Sequence, residues 1–220
     1  MDKSDNSSDY VILPRGIDHL FYASPTLERG MDAIEASLGV RPVPGGRHPR
    51  FGTHNALLSL GPAAYLEVIA RDPDLPAPDR GRLVNLSDGQ QPRLMTWVVR
   101  VSDLAAFIRD PARAASGIGQ IEGGRREQAD GSLIEWQLTD PYAMPMNGAI
   151  PFLIDWGNTT HPAQTAPAGG ELTGLRIEHP DPGQVHATLK TLETDADVIK
   201  ADEFRLTARI QTGDGVKFLS

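Results

Sequence analysis

The chain has 220 residues, of which 40% are hydrophobic and 23% charged, so it is long enough and apolar enough to bury a substantial core. Its formal net charge of −8 and its lack of a Lys/Arg run argue against general binding to nucleic acids or anionic membrane surfaces, since both require a basic patch. The absence of cysteine excludes disulfides, thiolate metal sites and cysteine nucleophiles.

The sequence contains no apolar run of membrane-spanning length and no charged-then-apolar leader. We therefore expect a cytoplasmic protein with no membrane partner. Its start is polar, and we expect a disordered tail over residues 1–14.

Residues 15–71 are predicted to form a first unit in the order β-α-β-β-β. An apolar strand at 17–23 is followed by apolar residues at three- and four-residue spacing, which predict a helix that ends at Gly39. Three short strands follow, and the last of them carries Glu67 at its centre. The glycine pair Gly45-Gly46 is predicted to form a turn, as is the later pair Gly123-Gly124.

Residues 72–92 are rich in Pro, Asp, Gly and Arg without periodicity, and they are predicted to link this unit to a second one at 93–158. The second unit repeats the strand, the capped helix and three further strands, with a turn at Asp130-Gly131. A third, shorter βαβββ-like unit is predicted over residues 171–220. The predicted fold class is therefore α+β, with two tandem βαβββ modules and a smaller C-terminal unit.

Three predicted strands each carry a metal-capable or titratable side chain at the centre of an apolar run, namely His19, Glu67 and Asp155. Burying a carboxylate without a partner is costly, so such a group pairs with a cation, binds a metal or keeps its proton. His19 and Trp97 each lie five residues before a helix cap, which assigns Trp97 to the position of His19, and Asp155 to that of Glu67. We expect His19, Glu67 and Asp155 to converge.

Four segments carry a resemblance to the vicinal oxygen chelate superfamily, and most closely to its glyoxalase-like domain branch. These segments agree in order, spacing and residue type, and they are residues 16–20, 51–61, 65–69 and 151–157. The resemblance implies that eight strands from two modules curl into a half-open barrel around a cavity. It also implies a divalent ion, held by one residue from the first strand and one from the fourth strand of each module.

Carried over by position, His19, Glu67 and Asp155 match metal-ligand places, whereas the fourth place is Trp97, which cannot ligate a metal. One imidazole and two carboxylates suit Mn or Mg, and the imidazole also admits Zn, Ni or Fe, so the identity of the ion stays open. The set lacks the two histidines of the non-haem iron triad, which argues against extradiol dioxygenase activity.

Other residues are candidates for binding a substrate in the barrel cavity. Either His54 or Asn55, not both, should face the cavity, and the polar neighbours favour Asn55. Trp97 is expected to line the cavity as an aromatic wall or to pack in the core, and Trp156 is expected to point beneath the helices. His161 lies in a loop after the last strand, where a histidine is more often solvent-exposed and idle than catalytic.

The leading hypothesis is a metal-assisted lyase or isomerase that acts on a small oxygenated substrate, with Glu67 as a ligand or as the group that transfers a proton. The alternative is a metal-free protein that binds a small apolar or aromatic molecule against Trp97. A third possibility is a structural or regulatory protein in which His19 and Glu67 are a hydrogen-bonded core pair. In each case we expect a monomer or a homodimer.

Overall fold

A computed structural model of the chain describes residues 12–127 and 133–220. Most of the predicted tail, residues 1–11, lies outside the described residues, and so does the predicted turn Asp130-Gly131. Within the two described ranges, none of the helices combines the length and the apolar character that crossing a membrane requires.

The first module begins with a strand whose seven residues are all buried. Its helix is capped by Thr26, whose side chain accepts from the backbone N–H of Arg29, and it ends at Gly39 in the left-handed conformation that glycine tolerates. The elements are β1 (Ile17–Ala23), α1 (Leu27–Leu38), β2 (Val43–His48), β3 (Thr53–Ser59) and β4 (Tyr65–Arg71).

The second module has the same strand order, but two helices of four residues each replace the single long helix. A 3-10 turn at Pro145–Gly148 precedes its last strand. The elements are β5 (Arg93–Arg100), α2 (Leu104–Phe107), α3 (Pro111–Ala114), β6 (Ile121–Glu127), β7 (Leu133–Thr139) and β8 (Phe152–Asp155).

The two modules join into one eight-stranded sheet in the order β2-β3-β4-β1-β5-β8-β7-β6. The strands β1 and β5 pair antiparallel at its centre, and within each module the first strand runs parallel to the fourth. The two edge strands approach each other, since a Cβ added at Gly45 on β2 would lie 2.6 Å from Nη1 of Arg126 on β6. This nearly closed sheet confirms the predicted α+β barrel.

The glycine pairs that the sequence predicts as turns lie inside the edge strands instead. Gly45-Gly46 belongs to β2 and Gly123-Gly124 to β6. Pro44 lacks an N–H group, which an edge strand tolerates because one of its sides has no ladder partner. The missing Cβ at Gly45 and Gly124 leaves room for side chains that a larger residue would displace.

The third unit forms a separate four-stranded sheet in the order β10-β9-β11-β12. It keeps the βαβββ order along the chain, but its first strand pairs in parallel with its second strand rather than with its fourth. It packs on the outer, helix-covered face of the barrel, where its apolar residues share one core with those of α1. The elements are β9 (Glu171–His179), α4 (Pro182–Thr191), β10 (Asp197–Lys200), β11 (Arg205–Thr212) and β12 (Gly215–Leu219).

Trp97 takes the second of its two expected positions, in the core, whereas Trp156 lies on the face opposite to the expected one. Trp97 is fully buried in the outer core, where its indole Nε1 donates to the carbonyl oxygen of Ala149 at 3.0 Å. Trp156 belongs to the inner apolar cluster. The pairing of β1 with β5 explains the position of Trp97, because His19 is opposite Val98 rather than Trp97.

Because Trp97 is a core residue, Trp97→Phe should lower the free energy of unfolding by about 1–3 kcal/mol, through a lost hydrogen bond that leaves the buried Ala149 carbonyl without its donor. Urea unfolding followed by circular dichroism measures this change. The control is Trp136→Phe, which changes a half-buried tryptophan of the inner face and should cost less. Equal stability of Trp97→Phe and the wild type would contradict the assignment.

Candidate active site

The inner face of the barrel encloses a cavity of about 50 Å³. Its walls are mostly aromatic and aliphatic, as in most small-molecule sites. The apolar lining includes Phe21, Phe51, Leu83, Trp136, Phe152 and Trp156. The polar lining residues are His19, His48, Asn55, Glu67 and Arg126. None of the lining residues comes from the third unit.

A β-bulge at the start of β1 brings Asp18 and His19 into contact with each other. Neighbouring side chains of a regular strand point to opposite faces. Between Ile17 and His19, however, β1 advances by two residues while β5 advances by one, from Val99 to Val98, and such a bulge re-aims a side chain. The carboxylate Oδ1 of Asp18 thus lies 2.7 Å from Nδ1 of His19.

The other nitrogen of His19 contacts Glu67. The distance between His19 Nε2 and Glu67 Oε2 is 3.4 Å, and both side chains are buried. Asn55 Nδ2 donates to the second carboxylate oxygen of Glu67 at 2.6 Å. The ring of Tyr65 stacks on the imidazole with its centroid 4.5 Å away, which fixes the plane of the ring. The result is a continuous polar chain from Asp18 through His19 and Glu67 to Asn55.

The charged groups of this polar network stabilise one another. Burial by itself would lower the pKa of His19, but the hydrogen bonds and negative charges of Asp18 and Glu67 outweigh it and raise the pKa from 6.5 to about 9. Burial would likewise raise the pKa of Glu67, but His19 and Asn55 lower it to about 2. At neutral pH the two groups therefore form a buried ion pair.

Asp18 is fully buried and serves as the support of His19. Its Oδ2 accepts from Trp156 Nε1 at 3.1 Å and lies 3.0 Å from His161 Nε2, while Arg100 Nε is 3.7 Å away. Burial opposes ionisation of Asp18, but the hydrogen bonds and charges of His161 and His19 lower its pKa below the usual range. His161 is thus a buried member of this network, in contrast to the expectation of an idle loop residue.

Two further polar residues of the cavity were not foreseen from the sequence, namely His48 and Arg126. His48 lies 3.2 Å from Thr53 Oγ1 through its Nδ1, and burial lowers its pKa to about 4, so its imidazole is neutral at pH 7. Asn55 lines the cavity, whereas the half-buried His54 does not, which resolves the alternative between these two residues.

The structure does not bring Asp155 to His19 and Glu67. Its neighbours Ile154 and Trp156 line the cavity, so the side chain between them points away. The carboxylate instead accepts from the backbone N–H of Leu104 at 3.1 Å and from that of Gly157 at 2.9 Å. The expected convergence of three residues is therefore corrected: Asp155 binds the N-terminus of α2.

The positions in the second module that correspond to His19 and Glu67 are apolar. On β4, Glu67 lies two residues past the partner of His19, and on β8, Ile154 lies two residues past the partner of Val98. The counterparts are thus Val98 and Ile154. Each lies one residue away from the position that the sequence spacing indicated, which was Trp97 or Asp155. The bulge at Asp18 accounts for this offset on the first strand.

This donor set does not fit the metal site that the resemblance implies. Of the four ligand places only His19 and Glu67 have donor atoms, and these two contact each other. A catalytic zinc site uses three protein ligands. Within residues 12–127 and 133–220, no three His, Asp or Glu side chains are grouped so that they could hold an ion.

Two βαβββ modules that curl around a buried polar cluster define a paired-module βαβββ barrel with a candidate small-molecule site. The profile of the glyoxalase-like domain matches residues 17–193, and the chain belongs to that family. No curated protein matches the chain.

Among the solved structures that resemble the chain, one has a TM-score above 0.5 and shows similarity of fold. A hypothetical protein from Staphylococcus aureus has a TM-score of 0.62 at 13% identity, covering 95% of this chain and 99% of that chain. Methylmalonyl-CoA epimerase from Mycobacterium tuberculosis has a TM-score of 0.43 at 21% identity, covering 66% and 91%. A Streptomyces coelicolor methylmalonyl-CoA epimerase variant has a TM-score of 0.43 at 17% identity, covering 66% and 97%.

The raised pKa of His19 predicts how stability depends on pH. The folded state keeps this proton at pH values where the unfolded chain has lost it, so the stabilisation is complete below pH 6.5 and is lost as the pH rises through about 9. The loss amounts to roughly 3 kcal/mol. Urea unfolding between pH 6 and pH 9.5 should show this decline.

The variant His19→Gln has no titrating group at this position, so it should lose most of the decline on the alkaline side. His48→Gln is the matched control, because the lowered pKa of His48 places its contribution below pH 6.5 and leaves the alkaline side unchanged. An alkaline slope that is the same in His19→Gln and the wild type would contradict the ion pair.

Proposed function

We propose that this chain is a glyoxalase-like enzyme of the isomerase or lyase type, which transfers a proton on a small oxygenated substrate. Glu67 accepts the proton from the carbon next to a substrate carbonyl. The protonated His19 donates a hydrogen bond to the oxygen on which negative charge develops. Asn55 orients Glu67, and Asp18 holds His19 in position.

The observation that carries this proposal is the asymmetry between the two modules. At the same two places of the fold, one module has His19 and Glu67, while the other has Val98 and Ile154. Apolar side chains therefore satisfy the scaffold at these places. A buried ion pair is often no more stabilising than well-packed apolar residues, so its presence at a cavity favours a chemical role over a structural one.

The geometry also indicates how Glu67 becomes a stronger base. In the free protein, contact with His19 keeps the pKa of Glu67 at about 2, and such a carboxylate is a weak proton acceptor. A substrate oxygen that takes over the His19 hydrogen bond removes part of this stabilisation and raises the pKa of Glu67. Proton abstraction is thereby coupled to correct binding of the substrate.

A second candidate function is supported by the apolar wall of the cavity. The half of the cavity formed by the second module presents Trp136, Phe152, Ile154 and Trp156. Such a surface suits a small apolar or aromatic molecule. A protein that binds and sequesters such a molecule would use the same cavity without turnover.

Proton exchange with solvent separates the two candidates. In D₂O, the wild type should incorporate deuterium next to the carbonyl of at least one of pyruvate, 2-oxobutanoate, dihydroxyacetone and lactaldehyde, as followed by NMR. Glu67→Gln should slow the exchange by on the order of 10²-fold or more, because it removes the proton acceptor. The exposed Glu135→Gln, on β7, is the control and should retain the wild-type rate.

Exchange that stays at the uncatalysed rate for every compound, together with saturable binding of the same compounds, would favour the binding protein. Adding EDTA to the assay tests whether the exchange requires a divalent metal ion. The donor set predicts no effect of EDTA, whereas a loss of exchange that Mn²⁺, Zn²⁺ or Ni²⁺ restores would reinstate the metal-assisted hypothesis.

A further inference from the structure

Arg126 is a buried guanidinium that faces the cavity. It lies on the edge strand β6, is only 6% exposed, and lines the same cavity as Glu67. A guanidinium stays charged at all relevant pH values and carries five N–H donors in a rigid planar fork. Its burial therefore requires partners that can accept these donors.

Within the described residues, Arg126 has very few such partners. Its Nη1 donates to Asn55 Oδ1 over a long 3.4 Å, and that oxygen also accepts from the backbone N–H of Gly46 at 2.9 Å. Its Nε is buried without any hydrogen-bond partner. No described carboxylate lies within ion-pair distance of it. Glu67, the carboxylate of the cavity, is already engaged by His19 and Asn55.

The surrounding backbone leaves space for this arginine. A Cβ on Gly45 would lie 2.3 Å from Asn55 Oδ1 and 2.6 Å from Arg126 Nη1. Any larger residue at position 45 would therefore displace the guanidinium from the gap between the two edge strands. The arginine thus occupies a fitted position at the polar end of the cavity, and within the described residues its one hydrogen bond is the long contact with Asn55 Oδ1.

From these contacts we infer that Arg126 anchors the carboxylate group of a small amphipathic monocarboxylic acid, whose apolar part packs on the aromatic wall. This inference rests on the proposed function, because it assigns the substrate class of the same site. The planar guanidinium fork matches a carboxylate with two parallel hydrogen bonds. No described carboxylate pairs with this guanidinium, and its one positive charge suits a singly charged planar group better than a doubly charged phosphate.

The test compares carboxylates with neutral analogues of the same shape. Propionate, hexanoate and phenylacetate, each beside its primary amide, are titrated into the full-length protein, with inorganic phosphate as a further probe. Quenching of tryptophan fluorescence reports on binding, since Trp136 and Trp156 line the cavity. At least one carboxylate should bind the wild type tenfold or more tightly than its amide.

The variant Arg126→Met should abolish this preference, and Arg126→Lys should keep part of it because the charge remains. Arg125→Met is the matched control: it removes an exposed arginine from the same strand and should retain the wild-type preference. Thermal unfolding of Arg126→Met should show no loss of Tm, since the substitution removes a buried charge with which no described carboxylate pairs.

Equal binding of every carboxylate and its amide by the wild type would overturn the inference, and that measurement needs no variant. An unchanged preference in Arg126→Met, tighter binding of phosphate than of all three carboxylates, or no binding of any carboxylate would also overturn it. Failure of the proposed function can be distinguished from failure of this inference. Arg126-dependent binding without proton exchange would leave the anchor intact, whereas exchange on neutral substrates alone would refute the anchor and retain the enzyme.

Discussion

The buried contact between His19 and Glu67 is the interaction on which the candidate site depends. Glu67 without His19 would be an uncompensated charge in an apolar barrel, and the two residues remain ionised together because Asp18 and Asn55 satisfy their remaining atoms. Asp18 is held in turn by Trp156, at the end of the second module, and by His161, in the segment that follows it. Closure of the barrel and the charge state of the site are therefore linked.

The same contact distinguishes the two halves of the barrel. The first module supplies the ion pair, and the second supplies Val98 and Ile154 at the matching places together with an aromatic wall. The second module also contributes a charged group to the cavity lining, namely Arg126 on its edge strand. A polar end and an apolar wall favour a ligand that has both kinds of surface. The third unit contributes apolar residues to the outer core and none to the lining of the cavity.

Much of the fold could be predicted from the sequence, because strand alternation and helical periodicity are local properties. The order of the elements and the inclusion of His19, Asn55 and Glu67 in one cavity followed from such patterns and from the resemblance. The counterpart of His19 and the face of Asp155 did not follow. The bulge at Asp18 accounts for the first, because it places His19 opposite Val98 rather than Trp97.

The remaining contributions to the site arise from tertiary structure. His161 and His48 reach the cavity network from segments in which nothing in the local pattern indicates burial, and Arg126 reaches Asn55 only because the two sheet edges meet. A glycine pair within an edge strand has the same local sequence as a turn. Only the position of the opposite edge distinguishes the two interpretations.

The protonation state of His19 tests this account most directly. Imidazole ¹⁵N chemical shifts in uniformly labelled protein, assigned through the signals that His19→Gln removes, report on both ring nitrogens. The ion pair predicts that both nitrogens carry a proton at pH 7.5 and that the signals titrate near pH 9. A neutral His19 at pH 7.5, with a midpoint at or below the ordinary value of 6.5, would contradict the central claim.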